Sequence, residues 1–445
     1  MLFSSIPFLY YFLPAVVLLY LLAPRRAKNA ALLLASLVFY AWGEPKYLLL
    51  MAADILLGYV FGLLLERRRS RALLALAVAG PVALLAFFKY SGFLLGGLFP
   101  ALLRVALPIG ISFYTFQILS YLVDVWRGET AAQRSLLDFA AYVALFPQLV
   151  AGPIVRYQTI AAELEDRQTD WDGAAEGLQR FLLGLGKKVL LANVLGELVE
   201  SCGAASSVLG AWLAAVAYAL QIYFDFSGYS DMAIGLGHFF GFHFPENFRY
   251  PFLSRSAAEF WRRWHITLGS WFRDYVYIPL GGSRVPKWKW VRNLLIVWAL
   301  TGLWHGAAWN FVLWGLFFAA LLLFERLTHW NPPAPLAHAY VLLAVVLSFV
   351  IFRGAGPAEF AALFGLGVPA ATAEAVYALR SFGPLLVIAM VGSTPLPCRA
   401  AAALSNRLPR PLWEALRCLV LAALLLLCTA SLVDGSFNPF LYFRF

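Results

Sequence analysis

An all-α polytopic membrane protein is the fold class this chain predicts, and three observations predict it. Its 445 residues are 62% hydrophobic and only 13% charged, a balance that excludes an ordinary soluble domain. The basic residues fall in short clusters between apolar runs, so the net charge of +10 reads as membrane topology and not as a surface for nucleic acid. From Leu294 to Phe324 there is no Asp, Glu, Lys or Arg, and such a run belongs in lipid or in the centre of a helical bundle. No internal repeat and no independently folding soluble segment stands out, so residues 1–445 are expected to form a single integral membrane domain.

Taken in order, the first apolar run, Ile6 to Leu22, has no basic residue before it and is followed by Arg25, Arg26 and Lys28. That is the reverse of a cleavable signal peptide and predicts a retained span with its N-terminus outside. Asn29 to Trp42 returns outward, and Tyr47 to Leu65 comes back to the basic loop around Arg67, Arg68, Arg69 and Arg71. Both strong basic loops then lie on the cytoplasmic side. Leu73 to Phe88 crosses again, Ser91 to Pro108 predicts an interfacial or re-entrant piece, and Ile109 to Val125 is the next span. Leu136 to Gly152 is apolar but broken by Pro147 and Pro153, which predicts a re-entrant or kinked element whose freed backbone groups are met by protein or water.

Arg156 to Arg180 is the most polar region. Phe181 to Val199, apolar around Lys187 and Lys188, predicts a helix lying along the cytoplasmic surface or entering it obliquely. Trp212 to Phe226 predicts a span, Gly241 to Arg273 a basic, aromatic-rich interfacial segment, and the run around His305 one long helix or two short ones. Ala339 to Phe352, Pro384 to Val391 and Leu416 to Leu432 complete a set of about ten to twelve spans with partly inserted helices between them.

Within the charge-free run His305 is the ionisable side chain. Thirteen residues beyond Arg292, at about 1.5 Å rise each, it lies roughly 20 Å in from the basic cluster Arg284, Lys287, Lys289 and Arg292. An imidazole at that depth either bridges helices as a neutral hydrogen-bonding group or does proton chemistry. On a continuous helix Trp298, Thr301, Gly302, His305 and Trp309 share one face, and Gly302 and Gly306 leave room for another backbone or a thin ligand. That face is expected to wall a narrow passage.

The other polar residues carry blander expectations. His265 follows Trp261, Arg262, Arg263 and Trp264, which can anchor a helix at the headgroups. Asp225 and Asp231 are six residues apart and off a shared helical face, so they are not an acid–base pair; Asp225 is expected to hold neighbouring helices and Asp231 to cap one. Cys202, Cys398, Cys418 and Cys428 show no Cys-x-x-Cys spacing and are expected to act as small buried hydrophobes. The six histidines form no metal-binding pattern; His238 and His243 flank Gly241, and His329 and His338 are expected in a Pro-rich loop. There is no Gly-x-Ser-x-Gly elbow and no phosphate-binding loop.

Three long segments stand out together, WRRWHITLGSWFRDYVYIPLGGSR at 261 to 284, LTGLWHGAAWNFVLWG at 300 to 315 and YFDFSGYSDMAIGLG at 223 to 237. With them go the opening MLFSS, FYAW at 39 to 42, LPIGISFYTFQILSYLVDVWRG at 107 to 128, LFPQLVAGPIVRY at 145 to 157 and the closing NPFLYFRF. On these segments the chain resembles the membrane-bound O-acyltransferase superfamily, and within it the alginate O-acetyltransferase branch. The resemblance implies a helical funnel with a tunnel at its base. It places His265 and His305 at the superfamily's two recurring polar positions, His305 as catalytic base and His265 as a supporting or substrate-positioning residue. Trp304, Trp309, Asp225 and Arg284 are the expected substrate contacts, with Arg and Lys between 249 and 292 available to the phosphates of an acyl-carrying coenzyme.

The implied activity is transfer of an acetyl group from cytoplasmic acetyl-CoA, a donor substrate and not a bound cofactor, across the bacterial inner membrane for O-acetylation of an extracellular or cell-wall polysaccharide. The other enzyme reading is D-alanyl transfer to teichoic acids, which another branch performs. A transporter would also place polar residues and broken helices in the membrane, but it would want repeated halves and more intramembrane charge. The expected outer loops are short and carry no Gly-Asp-Ser signature, so a separate periplasmic or surface acetyltransferase is the expected partner.

Overall fold

The computed structural model describes residues 1–99, 106–168, 170–202 and 206–435. It is 77% helical, with no strand among the described residues, and seven of its helices are long and apolar enough to cross a membrane. The chain is a multi-pass helical membrane protein. The closing NPFLYFRF, and part of the Ser91 to Pro108 stretch expected to be re-entrant, lie outside the described residues. Two compact units are present, one made of residues 1–181, 229–246 and 273–275 and the other of 182–228, 247–272 and 276–445.

The first unit begins with α1 (Phe8–Leu22), α2 (Lys28–Gly43), α3 (Leu48–Arg67) and α4 (Arg71–Leu95), close to the predicted spans. Next comes α5 (Ile111–Arg127), which approaches α3 through glycine. A Cβ at Gly58 would come within 2.8 Å of Ile118, and one at Gly62 within 2.6 Å of Tyr121. The proline-broken stretch forms two short helices, α6 (Leu136–Ala144) and α7 (Phe146–Leu149), and its kink is met by protein: Ser36 Oγ accepts from the Phe146 N–H at 3.0 Å. The polar region forms α8 (Tyr157–Glu165) and α9 (Trp171–Gly186).

Ion pairs hold this unit's polar groups. The Arg180 guanidinium donates to both carboxylate oxygens of Glu246 at 2.6 Å and to Asp231 at 2.9 Å. Asp231 is therefore not a cap: it lies inside the helix Val208–Phe239, satisfied by an arginine. Arg156 meets Asp274 at 2.8 Å, and the Tyr275 hydroxyl donates to Asp124 at 2.7 Å. The guanidinium groups of Arg273 and Arg156 hold the Asp274 carboxyl below the usual carboxylate range against the opposing effect of burial.

The second unit opens with α10 (Asn193–Ser201) and the long helix α11 (Val208–Phe239), whose last part belongs to the first unit. The apolar run that predicts α11 ends at Phe226, but the helix continues to Phe239, with Asp231 paired to Arg180. A Cβ on Gly228 would come within 2.7 Å of the Gly184 carbonyl. Two short helices follow, α12 (Ala257–Arg263) and α13 (Ile266–Phe272), then α14 (Lys287–His305), α15 (Trp309–Thr328) and α16 (Ala334–Arg353). The chain then runs through α17 (Pro357–Leu363), α18 (Ala373–Gly392), α19 (Leu396–Ser405) and α20 (Arg410–Asp434). Only 6% of the apolar window of α20 is buried within the protein, so its surface is left for lipid.

The core of this unit is aromatic: Trp264, Trp298, Trp314, Phe318, Phe349 and Phe352 pack in one cluster. Two sequence expectations are corrected here. Cys202 and Cys428 are buried, but Cys398 and Cys418 are exposed, the latter on a lipid-facing helix where a thiol needs no core. His338 sits inside α16 rather than a loop, with its Nδ1 3.2 Å from the Ser254 carbonyl.

Candidate active site

The site is assembled around the turn between α12 and α13. The N-terminus of α12 is fixed twice, because Ser256 Oγ accepts from the Glu259 N–H at 3.0 Å and the Glu325 carboxylate, from α15, accepts from the Ala257 N–H at 2.5 Å. Past Trp264 the chain turns at His265, whose φ of 44° lies in the left-handed region, an uncommon conformation for a residue other than glycine. The stretch beginning at Asn247 holds the turn: the Arg249 N–H donates to the Arg263 carbonyl at 2.9 Å and the Ile266 N–H to the Asn247 carbonyl at 3.0 Å.

His265 is 0% exposed. Its Nδ1 lies 3.1 Å from Asn247 Oδ1, and its ring packs against Phe226 at 4.7 Å and Trp304 at 5.6 Å between centroids. Burial, and then the neighbouring His305, push its pKa well below the ordinary imidazole value, so the ring is neutral near pH 7.

His305 ends α14 and is 5% exposed. Trp304, Trp314 and Phe352 wall its ring at 4.9, 5.0 and 5.3 Å, and the two imidazole centroids are 6.5 Å apart. Behind it, α14 and α15 meet backbone to backbone. A Cβ at Gly302 would come within 2.2 Å of the Phe311 carbonyl, and one at Gly315 within 2.2 Å of the Trp298 carbonyl. The room left by Gly302 is thus filled by a neighbouring helix, and Gly306 faces the Phe311 ring in the same way.

The structure brings His305, His265 and Trp304 together. The chain leaves the helix between Gly306 and Ala308, so the single face expected to run from Trp298 to Trp309 stops at His305. Trp309 starts α15 and is 69% exposed. Asp225 forms a buried ion pair with Lys188, Nζ to Oδ1 at 2.7 Å, while Phe226, one residue on, touches the His265 ring. Arg284 is exposed in the turn before α14. Sequence reasoning missed Asn247, Phe226 and Phe352; a lone amide in the aromatic segment 242–252 was the available signal for Asn247.

Two buried imidazoles, His265 and His305, thus lie within one aromatic wall of a multi-pass helical membrane protein. Residues 129–353 match the membrane-bound O-acyltransferase family, MBOAT. The chain belongs to that family and is a membrane O-acyltransferase. It is 39% identical over its whole length to the probable alginate O-acetylase of Pseudomonas putida, with all of that protein covered. Over 79% of this chain and 75% of the relative it is 44% identical to the probable alginate O-acetylase of Azotobacter vinelandii. It is also 35% identical to the peptidoglycan O-acetyltransferase of Helicobacter pylori over 79% of this chain and 77% of the relative, and 29% identical to the teichoic acid D-alanyltransferase of Bacillus subtilis over 54% and 65%.

Proposed function

We propose that this protein takes acetyl groups from cytoplasmic acetyl-CoA and delivers them across the bacterial inner membrane for O-acetylation of an extracellular or cell-wall polysaccharide. The observation that carries it is the full-length similarity to an alginate O-acetylase, set on a chain whose two buried histidines face one another at 6.5 Å. In this reading His305 is the base. Its neutral nitrogen takes the proton of an acceptor hydroxyl as that oxygen attacks the thioester carbonyl; the C–S bond breaks, and the thiolate leaves with the proton as CoA thiol. His265 supports the same exchange. Trp304 lines the route, Arg284 meets the donor phosphates, and about ten to twelve crossings, counting the shorter helices, form a funnel around the site.

A separate periplasmic or surface acetyltransferase is proposed to receive the acetyl group and pass it to the polymer. Purified protein in liposomes, supplied with labelled acetyl-CoA, should release little CoA until that partner is added. Rapid acetylation of free polysaccharide by this chain alone would refute the relay. Turnover with a D-alanyl carrier thioester but not with acetyl-CoA would move the protein to the teichoic acid reaction.

A further inference from the structure

We infer that Asn247 is a positioning residue: its side-chain oxygen holds the His265 ring in the Nδ1–H form, so that the ring's lone pair lies on Nε2. The inference rests on the proposed role of His265 for its relevance to catalysis, though not for its geometry.

Asn247 is 0% exposed, and three groups converge on its Oδ1: the Thr267 hydroxyl at 2.9 Å, His265 Nδ1 at 3.1 Å and the Thr267 backbone N–H at 3.3 Å. An amide can be turned end for end, but a backbone N–H only donates, so the atom facing it must be the carbonyl oxygen. That oxygen cannot donate to His265. A neutral imidazole carries one N–H and one lone pair, and a lone pair at Nδ1 would face the oxygen's own lone pairs. Nδ1 therefore bears the hydrogen and Nε2 the lone pair.

The same residue also sets the backbone. Its carbonyl accepts from the Ile266 N–H at 3.0 Å, so Asn247 grips the chain just after His265 while its side chain grips the ring, and the left-handed turn at φ 44° is held between them. Phe226 meets the ring edge-on at 88° and Phe248 lies nearly parallel to it at 24°, leaving little freedom for the ring to turn over. The choice of an amide matters. A carboxylate at this position would also accept from Nδ1 but would stabilise the imidazolium, whereas the amide orients the ring and leaves it neutral.

The test uses the full-length protein in lipid nanodiscs, labelled with 15N-histidine, with the His265 signals assigned by their loss in His265→Gln. The wild type should show a protonated Nδ1 and an unprotonated Nε2 at neutral pH. Asn247→Leu should lose that signature and lower kcat about 10- to 100-fold with a smaller effect on KM, the size seen when an orienting partner of a functional histidine is removed. Asn247→Asp should keep the Nδ1–H form while moving the acid limb of the pH–rate profile to higher pH. His305, the titratable ring facing His265 from α14, is common to all these variants, and Asp225 on α11 is occupied by Lys188. An Nε2–H signature in the wild type would overturn the inference, as would a folded Asn247→Leu protein with unchanged His265 signals. If Asn247→Leu does not fold, the wild-type and Asn247→Asp spectra decide the matter alone. A fully active His265→Gln would remove His265 from the reaction, and the spectra would still report whether Asn247 sets its tautomer.

Discussion

Lys188 with Asp225, and His265 with His305, are two buried polar pairs in the same unit, and they differ in how they meet the absence of water. The first is a contact of opposite charges at 2.7 Å, with Asn193 Oδ1 accepting a further bond from the ammonium at 2.9 Å. The second is two imidazoles 6.5 Å apart, one oriented by an amide and the other walled by Trp304, Trp314 and Phe352. A buried ion pair is secure only while both members remain, because either alone is an uncompensated charge. Neutral imidazoles need no counter-charge and keep a proton-accepting nitrogen available. Complete charge pairing marks scaffold here, and in the proposed reaction its avoidance marks the place where protons move.

The contrast is sharpest in His305→Ala, which should lower acetyl transfer about 10²- to 10⁴-fold while leaving the amount and elution of folded protein near wild type. Normal polymer acetylation by a well-expressed variant would break the comparison at its centre. Asp225→Ala should do the reverse. With Lys188 left unpaired, folded protein should fall sharply, by about 3–5 kcal/mol of stability, and the double variant Lys188→Met with Asp225→Leu should recover most of it. Size-exclusion profiles of fluorescently tagged protein would measure both, and a double variant no better than the single would mean that the pair is not what matters.

His265→Gln should cost less activity than His305→Ala, about tenfold, and it also tests the pH behaviour. Burial keeps folded His265 neutral to a lower pH than the ordinary value of about 6.5, so just below that value the unfolded chain binds more protons. Wild-type thermal stability should therefore be full above about pH 6.5 and decline as pH falls toward the folded value, with a shallower decline in His265→Gln. Equal or greater loss of activity than at His305 would mean that the two roles are reversed. The smallest effect is expected from Arg284→Glu, a few-fold rise in KM for acetyl-CoA with unchanged topology in reporter fusions. An inverted topology with unchanged donor affinity would assign Arg284 to membrane orientation instead.

Hydropathy made the helical class and most spans legible, and His305 stands at the far end of α14 from the basic cluster that opens it. What escaped was set by tertiary partners. Asp231 reads as a cap until Arg180 is seen beside it, and α11 reads as ending at Phe226 until its polar continuation is found packed. The break after His305 was hard to foresee, since Gly306, Ala307 and Ala308 offer only one weak helix breaker in an apolar run. Trp309 was placed on the wrong face for that reason. Asn247 escaped because an amide takes its meaning from the turn that His265 makes against it.

The contact of α14 with α15 through Gly302 and Gly315 bears on how the enzyme meets its lipid environment. Because two main chains touch there, the depth of His305 is set by backbone against backbone and not by side-chain rotamers. A bilayer that thickens or thins can tilt the hairpin as one stiff lever, with side chains at the headgroups adjusting to the mismatch. Such a tilt carries His305 and Trp314, on opposite arms of the hairpin and 5.0 Å apart, together.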